Sequence, residues 1–545
     1  MANSKRFGFI LLATTASAAL AGCSGADGVA SPGAGSVNIT VPAPAPTPTP
    51  TPAATPSAIT AAQFATSTTV NGISITPDEQ LAIVNAGTNN NVSGIGSVLN
   101  GLYPVANASA TTATDPSTIN SFFTSTNYVG ALNGPSDTAF QGWTCNAPGI
   151  DFGGSATSCS STTALANYIG TSAEASAAVC PTGTIDDGLV QARKACRIPQ
   201  TITSNLTLTR VPGVFYRLRG QTEVGTDLGS TGGTGATLTI EPGVVVLNDA
   251  SEATNDLLLV NRGSRLNAVG TRALPIIFSG QFNIGGNNNF GDGSQGLWGG
   301  IILLGRAATG VCAAGTGPNN ADGSSTTCQQ AIEGVTGRFY GGPTATDSSG
   351  QMSYVQIRYS GIAISDGNEL QGLTLGGTGS GTVLDHIQSH NSADDGVEIF
   401  GGTTNAKYIA ITGADDDGFD IDNGYRGFMQ FMIAVQRASG ATSDSFSTEI
   451  DSNNNEDLLP RTYSTYANFT FIQTASAPAA IRQRGGSDMR YVNGIVKSPS
   501  GVPCLNLIAG ETSATDRSTI RAADTTKQDA GPPVFSSVYF ACSGR

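Results

Sequence analysis

Charge is scarce in this chain. Asp, Glu, Lys and Arg make up 12% of its 545 residues, too few for the solvated faces of a helical bundle. Histidine is scarcer still. Two His in the whole chain exclude a His-rich metal site and a long proton relay. No C-x-x-C pair occurs, so zinc-ribbon and thiol-redox chemistry are not expected. Beyond the first two dozen residues, no apolar run approaches the roughly 20 residues that span a bilayer. Basic residues number 26 against 40 acidic, a balance of −14, which argues against nucleic acid as a partner. It leaves room for cations, or for the divalent-bridged outer leaflet of a bacterium. In place of these the chain has 70 Gly and 26 Pro, with many Ser, Thr and Asn. That composition reads as short strands and turns. Length alone suggests several domains, but a repetitive β architecture would absorb most of it as one body.

The N-terminus carries an export signal. Lys5 and Arg6 precede an apolar stretch from Phe7 to Leu20, which is too short for a stop-transfer helix. It ends in Leu20-Ala21-Gly22-Cys23, which resembles a bacterial lipobox. The resemblance implies removal of residues 1–22 and acylation of Cys23 on its thiol and new amine. Each buried methylene then contributes about 0.8 kcal/mol of anchoring. Ser24, where an inner-membrane retention signal has Asp, points to the outer membrane, at the cell surface or the periplasmic face. Residues 23–57 form a Pro/Thr/Ala-rich tether in which Pro42, Pro44, Pro46, Pro48, Pro50, Pro52 and Pro56 recur. Such a spacer is extended where polyproline forms.

Eight further cysteines remain: Cys145, Cys159, Cys180, Cys196, Cys312, Cys328, Cys504 and Cys542. An even number in an exported chain points to disulfides. The simplest pairing joins sequence neighbours, 145–159, 180–196, 312–328 and 504–542. The first three would close loops of about 15 residues, each contributing about 3 kcal/mol.

Residues 58–200 read as a small, mixed, loop-rich region. Thr76-Pro77-Asp78-Glu79 and Asp115-Pro116 each carry a cap followed by Pro, the pattern of a helix start. From residue 201 to 545 the pattern becomes short strands, among them Leu206–Leu208, Phe215–Leu218, Leu238–Ile240, Val244–Leu247 and Leu257–Val260. Gly300-Ile301-Ile302-Leu303-Leu304-Gly305 is apolar on both faces, as in a buried parallel strand. Aromatic or His positions recur at Tyr354, His386, Tyr408, Phe431, Phe469 and Tyr491, with steps of 32, 22, 23, 38 and 22. A step of 22 or 23 is one coil of a parallel β-helix, and the longer steps are coils carrying a loop. The expected fold class is therefore all-β, a parallel β-helix behind a small mixed N-terminal region.

The chemistry-bearing signal is an acidic repeat. Asp394-Asp395-Gly396-Val397-Glu398 matches Asp416-Asp417-Gly418-Phe419-Asp420 at an offset of 22. Asp422, Asp444, Glu449 and Asp451 extend it. Stacked coils lie about 4.8 Å apart, where two carboxylates repel by several kcal/mol at an effective dielectric of 20. Relief must come from a cation, from Arg, from backbone N–H groups or from raised pKa values. Three readings stay open. Asp-Gly corners satisfy backbone donors. Alternatively Asp394, Asp395, Asp416, Asp417, Asp420 and Asp422 hold Ca²⁺. Or Glu398, Asp417 and Asp420 act on a polysaccharide as carboxylates about 5 Å apart. Arg426 is a nearby counter-charge, and His390, Arg482 and Arg484 are the groups a sugar site would recruit. His386 and His390 sit four apart on one strand, with no nucleophile elbow beside them.

Several stretches resemble a large bacterial family of surface β-helix proteins. They are Leu238-Thr239-Ile240-Glu241-Pro242-Gly243-Val244-Val245, Gly296 to Gly305, Leu373 to Gly377, His390 to Gly396, Asp415 to Gly427, Tyr128 to Ala131 and Gly142-Trp143-Thr144. The resemblance covers about residues 120–500. It implies a right-handed parallel β-helix at the cell surface and supplies no reaction. Relatives in Bacteroidota often end in a type IX secretion domain, whereas here Cys542-Ser543-Gly544-Arg545 ends the sequence and a lipobox opens it. The expected role is binding or scaffolding at the outer membrane ahead of catalysis. The expected partners are the membrane itself, a TonB-dependent transporter or a surface glycan, with Ca²⁺ as the ion. The alternative is a polysaccharide lyase or hydrolase.

Overall fold

The computed structural model describes residues 113–541, apart from 135, 155, 253–254, 313–324, 326, 366–367, 438–440, 453–457, 475–476, 500, 508–522 and 532. The leader, Cys23, the tether, the Thr76–Glu79 helix start and Cys542 lie outside the described residues. Among the described residues no helix is long and apolar enough to cross a membrane.

The chain winds as a parallel β-helix. A 16-stranded sheet and a 10-stranded sheet, called here the long and the short sheet, enclose one continuous apolar core. Each complete coil contributes one long bent strand to the long sheet and one short strand to the short sheet. Gly350–Arg358 shows how the bend arises. Its first half pairs with Arg265–Val269 and its second half with Ile276–Ser279, two separate strands of the preceding coil. Between the halves, Tyr354 adopts φ 52°. One left-handed residue turns the strand round the corner of the coil and lets pairing resume at once.

The same corner recurs at His386, Tyr408, Phe431, Asn468 and Asn493, with φ between 52° and 61°. A non-Gly residue in this region is disfavoured unless something compensates. Here the first four rings stack, with centroids 4.3, 4.3 and 4.5 Å apart. The column departs from the sequence alignment at its end. Phe469 and Tyr491 are core residues, both fully buried, and the corners are Asn468 and Asn493. Asn tolerates the left-handed region, and its amide finds bonds there. Asn468 Nδ2 donates to the Tyr128 carbonyl (3.1 Å) and Asn493 Nδ2 to the Thr114 carbonyl (2.7 Å).

Residues 113–160 lie as a strap over the outer face of the long sheet, starting beside its last coils. Thr114 N donates to Asn493, Thr124 N to Gln430 and Cys145 N to Gln388, while Gln356 donates to the Trp143 carbonyl. Leu132, Phe140, Trp143 and Phe152 bury an apolar strip against Phe431, Ile433 and Val435. The helix start at Asp115-Pro116 is a single 3₁₀ turn, Pro116–Thr118, capped by Asp115. Phe122 and Phe123 follow it and pack on Phe428. Two short helices, Thr162–Ile169 and Ser172–Ala177, close this region. Thr171 and Glu174 form a capping box on the second. The parallel sheet begins at Arg193–Arg197, which pairs with Val214–Arg217, ahead of residue 201. Three disulfides join the sequence neighbours Cys145–Cys159, Cys180–Cys196 and Cys312–Cys328.

Candidate functional site

Alternation along the short sheet sends Val397, Ile399, Phe419, Ile421 and Ile450 inward to the core. The residues between them face outward and stack in register. One outward column runs Leu259, Ile302, Thr374, Glu398, Asp420, Glu449, Arg482. It changes character along its length. The early apolar members are covered by the hairpin of Gln330–Ala331 and Phe339–Tyr340, through Ile332, Val335 and Tyr340. The Thr374 hydroxyl donates to Gln371 Oε1, and Gln371 Nε2 donates to Glu333 (2.5 Å). Then come three acids, and then arginine.

The 22-residue offset read from the sequence is the true register, with Glu398 over Asp420 and Phe400 over Asp422. The structure divides the six aspartates expected to hold Ca²⁺ and brings in Glu398, which was expected only in the polysaccharide reading. Asp395, Glu398 and Asp420 each present an oxygen within 4.8 Å of the others. Asp394, Asp395 and Asp416 form a second convergence sharing Asp395. Asp417 and Asp422 belong to neither group. Corner turns occupy part of the set: Asp417 N donates to Asp395 Oδ1 (2.9 Å) and Phe446 N to Asp417 Oδ1 (2.5 Å). Asp416 Oδ1 accepts from Thr442 (2.7 Å). The turn reading therefore explains one oxygen each of Asp395 and Asp417. It does not explain Glu398, whose Oε2 is buried without a hydrogen bond although the residue is 6% exposed.

Electrostatics follow from this crowding. Burial first, then Glu333, Asp395 and Asp420, hold the Glu398 carboxyl well above its ordinary value of 4.5. Burial and Asp422, Asp395 and Glu449 do the same to Asp420. Asp417 rises through burial and Asp416, and Asp422 through burial and Asp451. The opposing charge is Arg484, whose Nε lies 2.7 Å from Glu449 and 3.3 Å from Asp451. Burial works against that guanidinium, but Glu449, Asp451, Asp422 and Asp420 together outweigh it and hold it more firmly protonated. Arg482 pairs with Asp444 and Glu449. Arg426 is not the counter-charge. Its Nε donates to the Arg461 carbonyl, away from the ladder.

The two histidines are apart in role. His386 packs between Tyr354 and Tyr408 and edge-on to Trp143, with Asp385 on its Nδ1. His390 is fully buried against Tyr359 and Thr412. Burial and the Arg358 charge push it down to about 3, so it is neutral. Neither belongs to the acidic convergences. Sequence reasoning missed Glu333, which a distant hairpin brings to Glu398 and which no local pattern marks.

Oxygen-only donors, spaced within one ion's reach and crowded enough to resist ionisation, suit a hard divalent cation. They also suit carboxyl groups held neutral for proton transfer. Searches among curated proteins and solved structures found no match. A family model described as a pectate-lyase-like β-helix domain matches residues 200–527. That span takes in the short sheet, most of the long sheet and the whole acidic column, and the chain belongs to this pectate-lyase-like β-helix family.

Proposed function

We propose that this chain is a lipid-anchored outer-membrane protein whose β-helix is a non-catalytic binding scaffold, with Ca²⁺ held at Asp395, Glu398 and Asp420. The observation that carries the ion is the convergence of one carboxyl oxygen from each of those three residues within 4.8 Å, in a cluster where the buried Glu398 Oε2 has no hydrogen bond. A bound divalent cation would replace several kcal/mol of repulsion per stacked pair with attraction. It would also add a side-chain tie on the outer face between coils already joined by backbone ladders and a shared core. Glu398 is too buried to meet a polysaccharide backbone, whereas an ion needs only the oxygens. The anchor at Cys23 and the proline-rich tether support a surface position. Partners are then those reachable from that surface, a transporter of the outer membrane or a glycan.

A second reading keeps one specific support. Asp420 is part-exposed, stacks on Glu398 and shares its raised pKa, the arrangement a general acid needs beside a second carboxylate. Calcium titration of the chelated protein separates the two. The scaffold reading expects a rise of several degrees in melting temperature, lost in Glu398→Gln and Asp420→Asn. A melt indifferent to calcium, with release of new reducing or unsaturated ends from an acidic glycan, would establish the enzyme instead.

A further inference from the structure

A second charged feature lies on the opposite side of the coil, under the strap. Residues of the strap, the Thr162–Ile169 helix and the long sheet line a half-open cavity of about 230 Å³. Thr144, Leu165, Tyr168, Ile277, Gln356 and Arg358 are among its walls. Arg358 is 5% exposed. Its Nε donates to Gln356 Oε1 (2.8 Å), as does Nη2. Nη1 donates to the Cys159 carbonyl (3.3 Å) and to Asn283 Oδ1 (3.4 Å). Every acceptor is neutral, and among the described residues one Nη2 N–H has no acceptor. Among the described residues no carboxylate forms an ion pair with Arg358.

Three of the other five buried arginines face carboxylates instead. Arg262 faces Asp227, Arg217 faces Asp249, and Arg461 faces Asp488 and Asp529. Arg193 and Arg306 bind backbone carbonyls, and neither lines this cavity. Burial lowers the Arg358 pKa to about 10, so the charge persists at neutral pH. In the next coil of the long sheet, His390 pairs in register with Arg358. It is neutral, and its Nε2 is also buried without a hydrogen bond. An isolated buried charge is costly unless paired.

We infer that the cavity beside Arg358 is a binding site for a small organic monocarboxylate. The guanidinium supplies one positive charge and a remaining donor, enough for one carboxylate. Leu165, Ile277 and Pro275 supply an apolar wall for a short aliphatic body. A dianion such as phosphate would bring a second charge with no cation to meet it.

The test uses the full mature chain, with butyrate as the probe and inorganic phosphate and chloride as controls. Both tryptophans report on the site. Trp143 accepts from Gln356 at its carbonyl, and Trp298 donates from its indole to the Arg358 carbonyl. Butyrate should give a saturable change in tryptophan fluorescence and raise the melting temperature, while phosphate and chloride should do neither. Arg358→Met should remove the response. Ala164→Trp, which fills the cavity from the helix and leaves the arginine in place, should remove it too. It decides the matter if the arginine variant does not fold. No saturable response to butyrate, an equal response to chloride or phosphate, or a response that survives Ala164→Trp would overturn the assignment.

Discussion

Glu398 lies directly over Asp420, one coil apart and in register, on the outer face of the short sheet. Two carboxyl groups placed so, one of them buried to 6% exposure, cannot both ionise cheaply. Their pKa values stand above the unfolded values of 4.5 and 3.8. The stability such groups contribute is complete below the unfolded pKa and is lost as pH rises through the folded one.

A pH dependence of defined sign follows for the chelated protein. Asp488, raised to about 7 by burial and Asp529, acts in the same direction as the ladder. His390 acts oppositely, because its pKa is depressed from 6.5 to about 3, and its contribution fades as pH falls below 6.5. Above pH 6.5 it is neutral in both states and silent. Between pH 6.5 and 8, in EDTA, the melting temperature should therefore fall, and Glu398→Gln should flatten the slope. Calorimetry across that range gives the answer, and a flat or rising profile in the native sequence would count against the buried ladder.

The corner column makes a second prediction. His386 holds φ 57° between two stacked rings. His386→Val should cost about 2–4 kcal/mol, from a β-branched residue in the left-handed region and two lost ring contacts. His386→Asn should cost about 1–2 kcal/mol, since Asn already serves this corner at Asn468 and Asn493 and loses only the stacking. Denaturant midpoints for the two variants compare the costs. Equal destabilisation would mean that backbone conformation does not limit the corner.

The strap makes a third. Cys145–Cys159 closes a 14-residue loop, and Cys145 is held to Gln388 by bonds from both its N–H and its carbonyl. Replacing both cysteines by Ser should lower stability by about 3 kcal/mol at most on the loop-entropy account. It should also expose residues 113–160 to protease while the coils stay folded. Limited proteolysis with mass mapping reads this out, and cleavage beginning within the coils would contradict a separable strap.

The repeat of the acidic motif was legible in the sequence because a coil has fixed length wherever no loop interrupts it. Asp394-Asp395 and Asp416-Asp417 are 22 residues apart, and the sheet keeps that offset. Beyond the long coil that follows Phe431, legibility failed. Phe469 and Tyr491 resemble the earlier aromatic corners, yet the corners are Asn468 and Asn493. A shift of one or two residues exchanges corner for core, and local residue type cannot fix it. The nearest-neighbour disulfides were similarly legible, since short loops favour local closure.

By itself the sequence determined what repetition and short-range chemistry control: an all-β solenoid, its coil length, the stacking of Glu398 on Asp420, and the three local disulfides. Only the tertiary structure decided which charges meet. Glu333 reaches Glu398 from a hairpin, Arg484 rather than Arg426 faces the acids, and the strap closes over Arg358, which pairs with no carboxylate among the described residues. The physical reason is that stacking in a solenoid is set by a local period, whereas burial and pairing of charge depend on loops whose landing points no period encodes.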